Sequence, residues 1–356
     1  MQNSRFDEII NRKGSGCFKY DALTMLFGRN DLLSLWVADM DFAVSNEIQT
    51  ALSERIKHPV YGYNLRLDSY YEAIINWQNR RFHWQPERDW IVPVPGIVPG
   101  LSLAVLSITN PGDGILIQTP VYHPFFDAVV NHDRKLLTSP LINTNGVFTI
   151  DWVDFEAKLS VAKMFILCNP HNPVGRVWTS EELDKIGYLC NKHNVVVFVD
   201  EIHADLVYPG FTHISLASLK EYSDLLITGV SPAKSFNIAG LATANLIISN
   251  PSLRSKVSGL NDKLHLFMGN SFGIRALIAA YNESEAWLNE LLVYLNETKE
   301  QLTHFVINEL PTVSLSPIES TYLAWLDFSG WGISQAELVD LMVNKALLAL
   351  DPGDKF

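Results

Sequence analysis

Lys234 follows the apolar run 225–230 and precedes small and apolar residues in GVSPAKSFNIAGL. An ammonium group is destabilised in such surroundings, which biases the side chain toward the neutral, nucleophilic amine. Upstream, the run VVVFVD places Asp200 at the carboxyl end of a second buried strand. A lysine able to form a Schiff base and an aspartate able to hold a pyridinium nitrogen are the two protein groups that pyridoxal phosphate chemistry requires.

In open α/β sheets ligands bind beyond the carboxyl ends of the strands, so the residues after each apolar run carry the next information. After IVPV comes PGIVPGLSLA, a turn opening a helix, where free N–H groups and the helix dipole suit a phosphate and Pro99 fits the first turn. After MFILC comes NPHNPVGRVW, with Asn169 and Asn172 held in proline turns; after LLITGV come Ser231 and Lys234. Singly these are weak signals: PGIVPG is more often only a turn, Asn172 an Asx-turn residue, Asp200 a helix cap and Lys234 a solvated lysine. Their joint order is much harder to obtain from packing alone.

The elements that must position these groups alternate between strand-like and helix-like runs: IVPV then GLSLAVLSI, ILIQT then PFFDAVVN, MFILC then SEELDKIGYLCNKH, then VVVFVD, LLITGV and ANLIIS. This pattern predicts an α/β fold with a mostly parallel sheet covered by helices. Residues 46–57 and 67–82 read as helices from apolar spacings of three and four. Beyond residue 283, Leu288, Leu291, Leu292, Leu295, Leu302, Phe305 and Val306 outline one face of a long helix, followed by TYLAWLDF as a strand and SQAELVDLMVNKA as a helix. The expected division is a large domain over 46–282 and a smaller α+β domain from the chain ends, 1–45 and 283–356. No internal repeat or low-complexity linker interrupts this organisation.

Bulk properties narrow the function classes. The 356 residues are 47% hydrophobic and 19% charged, ordinary for a globular chain and too apolar for a disordered one. A net charge of -12 opposes a nucleic-acid partner. No basic segment followed by an apolar stretch opens the chain and no apolar run is long enough for a bilayer, so neither export nor a membrane partner is expected. Three scattered cysteines, Cys17, Cys168 and Cys190, fit a reducing cytoplasm. Rival motifs are incomplete: SPAK matches S-x-x-K without a downstream K-T-G, Cys168 and His171 lack a second metal-ligand pair, and GSG at 14–16 lacks a third glycine. No metal is expected.

The chain resembles the fold type I pyridoxal phosphate enzymes of the aminotransferase class I/II superfamily, and within them the MalY/PatB-type cystathionine β-lyase branch. The resemblance rests on FKYD, WVADMDF at 36–42, HPVYGYN at 58–64, PGIVPGL at 95–101, TPVYHPF at 119–125, CNPHNPVGRVW at 168–178, VDEIHADLVY at 199–208 and SPAKSFNIAGL at 231–241. It implies that Lys234 forms the Schiff base and moves the Cα proton, that Asp200 pairs with the pyridine nitrogen, and that Asn172 donates to the phenolic oxygen. By the same resemblance Tyr122 lies against the ring and assists acid/base steps, Ile97, Val98 and Ser231 hold the phosphate, and His203 takes a cofactor-side position. Ala38 and Asp39 would line the substrate side. Tyr63 would reach the phosphate of the neighbouring subunit, implying a homodimer with shared sites and a small amino acid as substrate.

The implied reaction is carbon–sulfur β-elimination, converting an L-cysteine thioether to thiol, pyruvate and ammonia. Transamination is the alternative from the same first steps, and a cofactor-binding regulator with incidental lyase activity is a second. The resemblance also implies a carboxylate-clamping arginine near the family's C-terminus; the sequence ends at DPGDKF, where that family segment begins, so an incomplete chain is expected.

Overall fold

The computed structural model describes residues 4–356. A seven-stranded sheet forms its centre, built from β1 (Ile91–Val94), β2 (Gly114–Ile117), β3 (Lys135–Thr138), β4 (Ala162–Cys168), β5 (Val196–Asp200), β6 (Leu226–Val230) and β7 (Ala244–Ile247). The spatial order is β1-β7-β6-β5-β4-β2-β3. Strands β6, β5, β4, β2 and β3 are mutually parallel, while β7 runs antiparallel to both β6 and β1. Parallel neighbours need a crossover connection, usually a helix. The link 231–243 between β6 and β7 contains no such helix, only a single 3-10 turn at Ala239–Leu241, and the chain returns antiparallel. The sheet is thus mixed, with a parallel centre.

Side-chain alternation explains why the central strands read as unbroken apolar runs. Ile115, Ile117, Met164, Ile166, Phe198 and Ile227 join one apolar cluster, whereas Leu116, Phe165, Leu167, Val197, Val199 and Leu226 join another. Both faces are buried, so apolar residues predominate at both parities, with Thr228 and Asn245 as buried polar exceptions. Helices α1 (Asn46–Lys57) and α2 (Asp68–Phe82) precede the sheet in the chain, and the cluster containing Ile115 lies against α3 (Ile97–Ile108), α4 (Pro124–Val130) and α7 (Pro251–Lys263). The other packs on α2, α5 (Trp152–Leu159), α6 (Ser180–His193), α8 (Ser271–Glu283) and α9 (Glu285–Glu309). Trp77 of α2 stacks on Tyr281 of α8, ring centres 5.0 Å apart.

Helix α6 shows how local sequence fixes an element. Thr179 and Glu182 form a reciprocal capping box, and Asn194 closes the helix in the left-handed region at φ 53°. Leu183, Ile186, Gly187 and Cys190 form its buried face. Tyr222 lies across this face and donates to Asp184 Oδ1 at 2.7 Å. A Cβ at Gly187 would stand 2.2 Å from the Tyr222 ring, which is why glycine occupies a helix interior that would otherwise favour alanine.

The helices expected over 46–57 and 67–82 are present, as are the long helix after residue 283 and a final helix, α10 (Gln335–Asn344). The expected strand TYLAWLDF is reduced to Leu326–Asp327, paired antiparallel with Ser314–Leu315. Its first half, from Thr321, instead crosses toward the central sheet: Thr321 N–H donates to Leu206 O at 2.7 Å. The chain ends meet where Leu33–Ser34 runs parallel to Leu348–Ala349.

Gly187→Ala is expected to destabilise the protein by about 1–3 kcal/mol through overpacking, read as a melting temperature lowered by several degrees. Activity per folded molecule should be unchanged, because neither Gly187 nor Tyr222 lines the cavity at the carboxyl ends of the strands.

Candidate active site

Parallel strands place their carboxyl ends on one edge. In register, Cys168 of β4 pairs with Asp200 of β5, and Asp200 pairs with Gly229 of β6. The segments leaving these strands therefore emerge side by side and enclose a cavity of about 200 Å³. Asn172 enters from the β4 turn, Asp200 and His203 from β5, and Ser231 and Lys234 from β6. Ile97 and Val98, the first residues of α3, close one side, and Tyr122 and Ala38 face them.

The lysine is aimed by its neighbours. Ser235 Oγ donates to the buried Asp205 at 2.9 Å, and Phe236 is fully buried near Trp77 and Tyr281. With those side chains anchored in the core, Lys234 faces the cavity, where its Nζ donates to the Ala38 carbonyl. Burial lowers the Lys234 pKa, opposed by the charges of Asp39 and Asp200. Asn237, in the left-handed region at φ 56°, ties the lysine segment to residues 40–42. Its Nδ2 donates to Met40 O at 2.9 Å and Phe42 O at 2.8 Å, and its Oδ1 accepts from Met40 N–H at 3.1 Å.

Asp200 is buried, with Oδ1 accepting the Ile202 N–H at 3.0 Å. Burial raises its pKa to about 7, against the lowering effects of that hydrogen bond and of Lys234. Burial lowers His203 to about 3, with Lys234 adding to the effect, so its imidazole is neutral. Tyr122 is pushed up to about 12 by burial and by the charge of Asp200, so its phenol keeps its proton.

This edge fits pyridoxal phosphate on three structural grounds. Asn172 Oδ1 and His203 Nδ1 are buried at the cavity without protein partners, and such groups require a ligand or water. A buried carboxylate with a raised pKa has an unmet demand for a cationic partner, which a pyridinium nitrogen supplies. The twelve-residue helix α3 opens toward the cavity with the N–H groups of Ile97 and Val98 in its first turn, an anion-binding end.

Among the residues singled out in the sequence, Ile97, Val98, Tyr122, Asn172, Asp200, His203, Ser231, Lys234 and Ala38 all line the cavity. Ser231 Oγ donates to Thr243 O at 2.7 Å and accepts from Ala233 N–H at 3.1 Å, so in this conformation it also ties its own turn together. Asp39 lies one residue outside the cavity lining; its carboxylate receives both guanidinium nitrogens of Arg12 at 2.9 Å. Tyr63 is 93% exposed and lines no part of the cavity of its own chain. Sequence reasoning missed Asn237, Tyr322, Arg12 and Lys19. Tyr322 OH donates to Ala38 O at 2.9 Å, and buried Lys19 donates to Asp39 O and to Asp41, each at 2.9 Å. The asparagine in SFN gave a local clue of turn chemistry; Arg12 and Lys19 reach partners 20 to 29 positions away and Tyr322 a backbone carbonyl 284 positions away, pairings that sequence spacing does not reveal.

Comparison with known proteins gives a consistent result. Residues 24–356 match the family model Aminotransferase class I and II. The chain is 40% identical over 354 residues to cystathionine beta-lyase PatB of Bacillus subtilis (strain 168), covering 99% of this chain and 92% of that protein. Cystalysin from Treponema denticola, whose crystal structure contains pyridoxal 5'-phosphate, superposes with a TM-score of 0.93 at 34% identity, covering 97% of this chain and 89% of that one. The pyridoxal-phosphate-bound C–S lyase from Staphylococcus hominis superposes with a TM-score of 0.93 at 35% identity, covering 99% and 90%. With nearly the whole length matched and the strand-edge site in place, the chain belongs to the aminotransferase class I and II family of fold type I enzymes.

Proposed function

We propose that the protein is a pyridoxal-phosphate-dependent carbon–sulfur β-lyase that converts an L-cysteine thioether, cystathionine or a related conjugate, to thiol, pyruvate and ammonia. The observation that carries this reading is the buried amine of Lys234 opposite the raised-pKa carboxylate of Asp200 in one cavity. Similarity to cystathionine beta-lyase PatB, and to the C–S lyase structure from Staphylococcus hominis, favours elimination as the outcome. Pyridoxal phosphate supplies a carbonyl that condenses with amines and a ring that withdraws electrons from the substrate Cα.

The chain's own groups divide the remaining work. Lys234 would hold the cofactor covalently and, as a free amine, would move the Cα proton; its lowered pKa keeps a fraction of the amine neutral. Asp200 would hold the pyridine nitrogen protonated, Asn172 would donate to the phenolic oxygen, and His203 would stand on the cofactor side as a neutral ring. Tyr122, still carrying its proton, would pack on the cofactor and donate in acid/base steps. Ile97, Val98 and Ser231 would hold the phosphate with Tyr63 of a second subunit, which would make the working unit a homodimer with shared sites. Ala38 and Asp39 form the substrate wall. As the Cβ–S bond breaks, the thiolate departs with the bonding pair, and one water is consumed overall to release pyruvate and ammonia. Three unpaired thiols support a cytoplasmic setting.

Aminotransfer is the second reading, favoured by the name of the matching family. Incubation with cystathionine and no keto acid separates the two: sustained pyruvate and thiol release is expected, and an absolute need for a keto acid acceptor would replace the lyase reading with aminotransfer. Lys234→Ala should lose the covalent cofactor absorbance and about 10³-fold in turnover.

Asp200→Asn should cost about a hundredfold in kcat and have the opposite effect on the stability of the cofactor-free protein. With a folded pKa near 7, the native state binds an extra proton between the unfolded carboxylate pKa and pH 7. Its stability therefore falls as pH rises through that window, on the order of 1 kcal/mol per pH unit. The variant should match wild type near pH 4 and melt higher above pH 7, measured by thermal scans across pH.

Shared sites predict complementation. Tyr63→Ala and Lys234→Ala chains, each nearly inactive alone, should regain activity when mixed and refolded together, because one hybrid site contains both native residues. A mixture that stays inactive removes Tyr63 from the partner's site.

A further inference from the structure

We propose that Tyr322 is a positioning residue for Lys234: its hydroxyl pins the Ala38 carbonyl, and the pinned carbonyl orients the lysine amine for proton transfer. The proposal rests on the role given to Lys234 above and assigns a function to a residue outside the cavity lining.

Two donors converge on one acceptor. Ala38 O receives the Lys234 amine and, at 2.9 Å, the Tyr322 hydroxyl. A carbonyl oxygen offers two lone pairs, so both bonds can exist together, and the phenol fixes the direction left for the amine. Residues 39–42 are held elsewhere by Arg12, Lys19 and Asn237, but those bonds reach the Asp39 and Asp41 carboxylates and the backbone at 39, 40 and 42. Beyond Lys234 itself, Tyr322 is the side chain among the described residues that bonds the Ala38 carbonyl. Burial raises the Tyr322 pKa far above neutrality, with Asp39 contributing, so the phenol remains a donor throughout the working pH range.

The surrounding backbone is built to hold this ring. Thr321 sits at φ 66°, a left-handed conformation that β-branched residues avoid and that persists only where neighbours impose it. Its N–H is tied to Leu206 O at 2.7 Å, and Leu323 N–H donates to its Oγ1 at 3.1 Å. Ser320 pairs with Val207 and bonds Gly175 O at 3.0 Å, so the segment before Tyr322 is anchored on the β4 and β5 connections that also carry Asn172 and His203. The Tyr322 ring meets His203 edge-on, with centroids 6.0 Å apart. Tyr322 is therefore fixed to the same edge as the lysine it serves.

A neutral amine has one lone pair and two N–H bonds. Donating one N–H to a fixed carbonyl narrows the directions open to the lone pair, which must point at the substrate Cα proton. Misplacement by a fraction of an ångström in such a step costs rate without costing affinity.

The test uses Tyr322→Phe, which keeps the ring and removes only the hydroxyl. In D2O, the holoenzyme should exchange the Cα proton of L-alanine, a substrate without a leaving group, so the assay reads proton transfer independently of elimination. The variant is expected to exchange about tenfold more slowly, with unchanged cofactor absorbance and KM for the thioether within twofold. In the cofactor-free chain, competitive acetylation followed by mass spectrometry should label Lys234 several-fold faster in the variant, because its amine is less firmly held. Unchanged exchange, unchanged labelling, or a loss appearing wholly in KM overturns the proposal. Absence of exchange in wild type removes the proton-transfer role of Lys234 and this proposal with it, whereas normal exchange in both proteins removes the proposal alone.

Discussion

Burial works in opposite senses on the two groups at the carboxyl edge of the sheet, pushing Asp200 up to about 7 and Lys234 below its ordinary value. In water the pair would be a carboxylate and an ammonium of no particular reactivity. At the ends of β5 and β6, with apolar clusters on both faces of the sheet, each charge loses hydration and only partly recovers it from the other. The result is an amine able to act as a nucleophile and base, beside a carboxylate that gains stability when a cationic ring nitrogen arrives. Much of the remaining structure holds these groups at that edge.

Parallel pairing makes the edge possible. Because β4, β5 and β6 share one direction, their outgoing turns share one rim, and the register Cys168–Asp200–Gly229 places three functional segments abreast. Gly229 lies directly under the start of α3: a Cβ there would come within 3.1 Å of Ile97 Cδ1, so the anion-binding end of the helix can sit close to the strand that delivers Lys234. The fully buried neighbour Phe236 then anchors the lysine segment into the core, coupling fold stability to the aim of a single side chain.

The fourth wall comes from the ends of the chain. Residues 38–42 are held by Arg12 and Lys19 from the N-terminal side, by Asn237 from the lysine segment and by Tyr322 from beyond α9. Three remote parts of the sequence thus meet at one short loop. Lys19 is buried while its partner Asp41 is partly exposed; the Asp41 pKa stays below the usual carboxylate range because Lys19 and Arg12 outweigh the burial that opposes them. Removing the carboxylate would leave the buried Lys19 ammonium short of a partner, which is destabilising and suits a contact that must keep one geometry.

Sequence alone determined the groups whose chemistry is local: apolar strands that end in Asp200, Asn169 or Ser231 announce an edge, and the PGIVPG turn announces a helix start. It also determined the helices with regular spacing and clear caps, such as α6. It did not determine that β7 runs antiparallel, because direction depends on whether a crossover helix exists in 231–243, where composition is ambiguous. The segment TYLAWLDF has strand-like composition yet gives a strand only at Leu326–Asp327, since tertiary hydrogen bonds from Ser320 and Thr321 divert its first half toward the central sheet. Tertiary structure alone decided that Tyr322, Asn237, Arg12 and Lys19 converge on residues 38–42. Their partners are backbone carbonyls and carboxylates up to 284 positions away, and a hydrogen bond between distant residues leaves no periodicity for a sequence to display.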